Sequence, residues 1–157
     1  MPRIHYLELL LFKTYADLKA EAEREGTSPY ELMTALAAES PPGANKLLFN
    51  PSLGGGSSLE PSPNIRGAFL GLDLGHTRAD LVRAAMAGIA LNLRCAIDAL
   101  RGLSELSDEM LAVGGGSQSP LWQQIYADAL NVKVVKTNVG QEAGSLGAAA
   151  VAAAGAG

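Results

Sequence analysis

The chain has 157 residues, of which 48% are apolar and 18% are charged, with a formal net charge of −4. This length supports one domain with a core, and the composition excludes a disordered chain and argues against a nucleic-acid binder, which would carry a basic surface. The single cysteine excludes a disulfide framework or a zinc cluster built within the chain and suits a reducing, cytoplasmic setting, and no apolar run reaches transmembrane length.

Residues 1–40 are predicted to form a helical lead-in. Apolar residues recur at three- and four-residue steps from Ile4 to Ala22, and Gly26 ends this first helix. The run Ser28-Pro29-Tyr30-Glu31 then has the form of a capping box with proline at the first helical position, which predicts a second helix. We interpret this segment as a scaffold and expect the functional domain to span residues 41–157.

Two short apolar runs, Lys46 to Phe49 and Gly67 to Leu72, predict strands on either side of a glycine-, serine- and proline-rich loop. The following Asp73-Leu74-Gly75-His76-Thr77 resembles the phosphate hairpin that opens actin-like ATPase domains. Thr77 and the downstream Asp80 instead favour a helix cap, since an apolar helical pattern runs on to Arg101-Gly102. Cys95 falls within that pattern and is expected in the core.

The candidate ligand site is a strand, a glycine turn and a helix between Glu109 and Leu130. Glycine lets a ligand approach the main chain, and free amides at a helix N-terminus attract phosphate. The candidate binding residues are Gly114, Gly115, Gly116, Ser117, Ser119 and Pro120. Ser117 and Ser119 also offer N-cap oxygens for the helix that follows, and Pro120 is expected at its first position. An ordinary structural turn has the same pattern, whereas a dinucleotide-binding domain would need spaced glycines that are absent here.

The end of the chain is predicted to add one strand and one helix. Val132 to Thr137 alternates as a partly exposed strand, and a helix rich in alanine runs from Gln141 to Ala154. Glycine is unfavourable inside a helix. The glycines of this helix therefore predict that another helix, a strand or a ligand approaches it closely, and we favour packing against another element.

Three segments occur in a fixed order that resembles the C-terminal domain of the FGGY carbohydrate kinases, the family of xylulose, glycerol and gluconate kinases. They are residues 66–84, residues 114–130 and residues 142–149, and the run from Pro42 to Leu53 resembles the entry strand of that domain. The resemblance implies an α/β fold: one lobe of the ribonuclease H-like, actin-type ATPase architecture, with a mixed sheet flanked by helices.

The resemblance also implies a function. Members of the family transfer the γ-phosphoryl group of Mg²⁺-bound ATP to a sugar or polyol hydroxyl in a cleft between two lobes, and the C-terminal lobe mainly holds the nucleotide. The turn from Gly114 to Ser119 would then cradle adenosine and its nearer phosphate, with the helix from Glu142 behind it. The catalytic aspartate and the sugar-binding lobe correspond to segments upstream of this sequence.

We therefore expect a xylulose kinase-like lobe that is inactive alone, that contacts sugar only through the N-terminal lobe of the same kinase, and that self-associates as a homodimer through the uncovered surface. One departure supports an alternative. Residues 55–61 lack the arginine and threonine usual in the xylulose kinase branch, which favours a non-catalytic, actin-like interaction or regulatory module.

Overall fold

The computed structural model describes residues 15–56, 61–137 and 142–155. The helices are α1 (Tyr15–Glu25), α2 (Pro29–Ala38), α3 (Arg78–Arg101), α4 (Pro120–Leu130) and α5 (Ala143–Gly155), and the strands are β1 (Leu48–Asn50), β2 (Ala68–Leu70), β3 (Glu109–Ala112) and β4 (Lys133–Lys136). Short 3-10 turns, Ala44–Lys46 and Gly115–Gln118, precede β1 and α4. The predicted helix over residues 4–14, residues 57–60 of the loop and the start of the last helix at residue 141 lie outside the described residues.

Helix boundaries agree with the capping residues read from the sequence. At α2 the Glu31 amide donates to Ser28 Oγ at 3.1 Å, while the Ser28 amide donates to the Glu31 carboxylate at 2.9 Å, which confirms the capping box. Thr77 and Asp80 form the same reciprocal pair at α3. The helix-cap interpretation of the segment before α3 is therefore confirmed.

The strands form one antiparallel and one parallel pair. In the first, Leu48 lies opposite Leu70 and the rings of Phe49 and Phe69 lie 4.7 Å apart. In the second, β3 and β4 run parallel with Ala112 opposite Lys136. Both kinds of pairing expected of a mixed sheet are present, as two separate pairs within the described ranges.

The core lies between α3 and the elements packed on it. One cluster joins Ala37 of α2 with Met86 and Ala90 of α3 and Ile125 of α4, and the predicted apolar face of α4 packs against it. A second cluster lies beneath β1, where Gly88 of α3 approaches the Phe49 carbonyl too closely for any side chain. The glycine-turn helix is thus anchored to α3.

Two expectations about packing are wrong. Cys95 is exposed on α3 instead of lying in the core. Gly144 and Gly147 of α5 face open space, so the close packing expected at these glycines is absent from the described residues. Within the same residues, no helix is both long and apolar enough to cross a membrane.

A buried carboxylate ties the start of α3 to the segment before β1. Asp80 is 2% exposed and accepts hydrogen bonds from Ser40 Oγ at 2.6 Å, Asn45 Nδ2 at 2.9 Å and the Thr77 amide at 2.7 Å. His76, also buried, approaches the Asn45 carbonyl with Nε2 at 3.2 Å. These contacts hold the turn Ala44–Lys46, whose three residues all have positive φ.

The Asp80 network predicts a pH dependence of stability. Burial raises the pKa of the Asp80 carboxyl, but the hydrogen bonds from Ser40, Thr77 and Asn45 outweigh burial and hold that pKa below its usual range. Because the pKa is depressed in the folded state, this stabilisation is complete above the unfolded-state pKa of about 4 and is lost as the pH falls through the folded-state pKa. We expect the free energy of unfolding in urea to fall between about pH 5 and about pH 3.

The matched variant for this titration is Asp80→Asn, which cannot ionise at this position. The exposed carboxyls of Glu31 and Asp98 also have lowered pKa values, from hydrogen bonds with Thr27 and Arg94 respectively, and they are present in both proteins. The difference between the two curves therefore isolates Asp80. Parallel curves would contradict the assignment.

Candidate functional site

The candidate site lies where the two parallel strands end. The carboxyl ends of parallel strands meet at one edge of a sheet, and ligands of open α/β proteins bind outside that edge. β3 ends at Ala112 and leads directly into Gly114, while Lys136 at the end of β4 lies opposite Ala112. The turn and the end of β4 therefore share one edge.

Gly114 gives the turn its direction. Its φ of 79° and ψ of −167° lie in a region that is open essentially to glycine alone. The 3-10 turn Gly115–Gln118 follows, and a Cβ built at Gly114, Gly115 or Gly116 would meet nothing within 4 Å. The main chain of all three glycines is thus sterically accessible.

The amides of Gly115 and Gly116 are the donors of interest. They are the first N–H groups of the 3-10 turn, so neither has an acceptor inside it. No hydrogen bond joins them to another part of the described chain. Two neighbouring N–H groups in an open turn are the donors that a phosphate or an adenosine edge accepts from.

The serines and the proline shape the turn. Ser117 is 2% exposed, and its Oγ donates to the Gly114 carbonyl at 2.7 Å, so its hydroxyl faces the protein and does not cap α4 as the sequence led us to expect. Ser119 does cap α4, since its Oγ accepts from the Trp122 amide at 3.2 Å. Pro120 occupies the first helical position, as predicted.

Three polar side chains outside the predicted set lie at the same turn. Gln123 Nε2 donates to the Ser117 carbonyl at 2.7 Å, and Lys136 Nζ donates to Gln118 Oε1 at 3.1 Å. The Lys136 ammonium adds positive charge at the Gln118 end of the turn. Sequence reasoning missed the lysine because strand register, and not local spacing, brings it to the turn.

Two arginines of α3 fix the far end of α4. Arg94 donates to the Ala129 carbonyl at 3.2 Å and Arg101 donates to the Leu130 carbonyl at 3.3 Å, while Asp98 binds both guanidinium groups. Cations at a helix C-terminus satisfy its last carbonyls and oppose the negative end of its dipole. This anchors the helix whose N-terminus forms the site.

The site is suited to binding an anion. Its groups are amides, an ammonium and a helix N-terminus, all of which stabilise negative charge. The described ranges contain no cluster of three or more His, Cys, Asp or Glu side chains that could hold a metal ion. The carboxylates of Asp128 and Asp98 lie toward the other end of α4, where Asp128 accepts from Gln124 and Asp98 from the arginines.

A family model matches nearly the whole chain. The model described as the FGGY family of carbohydrate kinases, C-terminal domain, matches residues 5–156. The match includes the glycine turn and both strand pairs.

Individual relatives show the same likeness. A xylulose kinase of Staphylococcus epidermidis is 38% identical over 128 residues, which are 82% of this chain and 26% of that protein. A gluconokinase of Bacillus subtilis is 35% identical over 118 residues, which are 73% of this chain and 22% of that protein. The chain spans about a quarter of the length of these curated relatives.

Solved structures support the fold. The crystal structure of xylulose kinase from Rhodospirillum rubrum matches with a TM-score of 0.67 and 35% identity, covering 91% of this chain and 28% of that one. The α/β fold is therefore the expected lobe of the ribonuclease H-like, actin-type ATPase architecture. The chain belongs to the FGGY family of carbohydrate kinases, and it carries the C-terminal domain of that family.

Proposed function

We propose that this chain is the nucleotide-binding lobe of a cytoplasmic, ATP-dependent sugar kinase of the xylulose kinase type. The observation that carries the proposal is the open turn after β3, where the amides of Gly115 and Gly116 have no acceptor within the described residues. In the complete kinase, ATP would accept from these amides, and its γ-phosphoryl group would pass to a hydroxyl of a sugar or polyol.

The site can supply binding and charge stabilisation. Phosphoryl transfer depends mainly on positioning the reactants and stabilising charge. The turn amides and Lys136 would hold adenosine and its nearer phosphate and offset the negative charge of that phosphate. The Mg²⁺ that accompanies ATP is usually held by phosphates, water and one or two carboxylates.

The remaining parts of the reaction would come from the N-terminal lobe of the same kinase. This part of the proposal rests on one observation: the chain spans about a quarter of the length of its relatives. The sugar site and the base that orients the acceptor hydroxyl would lie on that lobe. We therefore expect no ATP-dependent phosphorylation of a pentulose or polyol by the isolated chain, and measurable turnover would contradict this part of the proposal.

A lobe without its partner should expose apolar surface. Many large apolar side chains are exposed on three strands, on the segments that follow β2 and β3, and on α3: Leu48, Leu70, Leu72, Leu74, Leu91, Leu111 and Val113. We expect the isolated chain to self-associate as a homodimer or larger species, because exposed apolar patches favour association.

Light scattering after size exclusion tests this expectation. The average mass should rise above 16.2 kDa as the protein concentration is raised. Replacing Leu70 and Leu111, which are 57% and 66% exposed, by glutamine should reduce the rise without unfolding the chain. A mass of 16.2 kDa at every concentration would contradict it.

Calorimetry with ADP and ATP tests the proposed function. We expect weak binding, with a Kd of about 1 mM, because half of the cleft is missing. In Gly116→Val the added Cβ meets no protein atom within 4 Å, so we expect the fold to be retained, while the side chain fills the space through which a ligand reaches the main chain. Gly54→Val is the matched control, since Gly54 also faces open space in a distant loop.

The proposal predicts that Gly116→Val loses the heat of nucleotide binding and that Gly54→Val keeps it. If Gly116→Val binds the nucleotide as tightly as the unaltered chain does, the nucleotide binds elsewhere. An absence of heat with either nucleotide, with or without Mg²⁺, would favour the non-catalytic, actin-like module instead.

A further inference from the structure

Gln123 links the first turn of α4 to the glycine turn. Its side-chain amide reaches back six residues to donate to the Ser117 carbonyl at 2.7 Å, while its backbone amide donates to the Ser119 carbonyl at 3.1 Å. The side chain is half-buried. It is therefore held by the protein and does not extend freely into solvent.

Ser117, which accepts from Gln123, is in turn hydrogen-bonded to Gly114. Ser117 directs both its amide and its Oγ at the Gly114 carbonyl, at 3.2 Å and 2.7 Å. The Gly114 carbonyl and the Gly115 N–H belong to one planar trans peptide group, so they point in opposite directions. Holding the carbonyl toward Ser117 therefore aims the Gly115 N–H away from the protein.

The same reasoning applies to the peptide group between Ser117 and Gln118, whose carbonyl accepts from Gln123. The Ser117 carbonyl and the Gln118 N–H share one peptide plane, and Gln123 fixes the carbonyl side of it. Without this donor, the turn would keep the two hydrogen bonds from Ser117 to the Gly114 carbonyl and a long one from the Ser119 amide to the Gly116 carbonyl, at 3.4 Å, but the Ser117 carbonyl would lose its side-chain donor.

We infer that Gln123 is a positioning residue for the nucleotide: it orients the turn amides before the ligand arrives and does not itself contact the ligand. The inference rests on the proposed function of the turn. Orienting donors in advance removes an ordering cost from binding, so its loss weakens affinity without removing any ligand contact.

Gln123→Met tests the inference, since methionine has a similar length and no N–H donor. We expect the ADP Kd to rise about tenfold and the amides of Ser117 and Ser119 to exchange hydrogen about tenfold faster, as for loss of one hydrogen bond. Gln123→Lys restores a donor and should restore the protection of these amides.

Gln124→Met is the matched control. Gln124 is the adjacent residue on α4, but its amide donates to Asp128 Oδ1 at 2.7 Å on the exposed face of the helix. We expect ADP affinity and turn exchange to change less than about twofold in this variant. A general weakening of α4 would affect both variants alike.

The outcomes separate the two proposals. If Gln123→Met has the same ADP Kd and the same hydrogen-exchange rates in the turn as the unaltered chain, the inference is overturned. That result would not contradict the nucleotide site. Equal defects in Gln123→Met and Gln124→Met would also overturn it. An absence of ADP binding by the unaltered chain would overturn the proposed function and this inference with it.

Discussion

Gly114→Ala is expected to lower the free energy of unfolding by about 1 to 3 kcal/mol and to remove ADP binding. The added methyl group would clash with nothing, because a Cβ at this position faces open space. The cost comes from the backbone, whose φ of 79° and ψ of −167° are unfavourable for any residue with a side chain. The chain would relieve that strain by redirecting the turn, and the amides of Gly115 and Gly116 would lose their alignment.

Gly115→Ala is the matched control for stability. Gly115 is the next residue, it also faces open space, and its φ is not in the left-handed region. Its free energy of unfolding should change by less than about 0.5 kcal/mol. Urea unfolding of the two variants gives the comparison, and equal stabilities would show that the Gly114 conformation does not constrain the turn.

Asp80→Ala is expected to destabilise the chain by about 3 kcal/mol, because it removes a buried, charged acceptor from several donors at once. Ser40 and Asn45 would lose their acceptor, and α3 would lose half of its capping box. The left-handed turn Ala44–Lys46 would keep its backbone hydrogen bonds and the contact between His76 and the Asn45 carbonyl, but Asn45 would lose its side-chain contact with α3. Left-handed residues other than glycine are costly, so this turn should rearrange.

Asp128→Ala provides the control for that loss. Asp128 is exposed and accepts from Gln124 on the surface of α4, so its removal should cost less than about 0.5 kcal/mol. Hydrogen exchange should localise the difference, with faster exchange of the Lys46 and Leu47 amides in Asp80→Ala alone. Similar stabilities of the two variants would contradict a structural role for the buried network.

Local rules sufficed for the helix boundaries. The caps at Ser28, Thr77 and Ser119 act through atoms within three residues along the chain, so residue types at short spacing predict them. The approximate positions of the strands along the chain were also predictable, because each strand is marked by a short run of neighbouring residues. By contrast, a strand expected to begin at Lys46 begins at Leu48, since contacts from distant Asp80 and His76 hold residues 44–46 in a turn.

Long-range contacts decided what the sequence did not predict. Lys136 reaches the turn through strand register and contacts Gln118, which lies 18 residues earlier in the chain. Ser117 is an exception, since its Oγ donates to the Gly114 carbonyl only three residues away. Cys95 is exposed because an apolar helical pattern identifies residues that favour burial without indicating whether another element covers them. Exposed Leu91 and Leu93 on the same helix show the same effect.

The most direct test is an NMR titration of the isolated chain with ADP, following the backbone amide signals. If the turn after β3 binds the nucleotide through its main chain, the amide resonances of Gly115 and Gly116 will shift with ADP concentration, and those of Gly54 will not. Saturable shifts confined to other regions, with the Gly115 and Gly116 resonances unmoved, would contradict nucleotide binding at this turn.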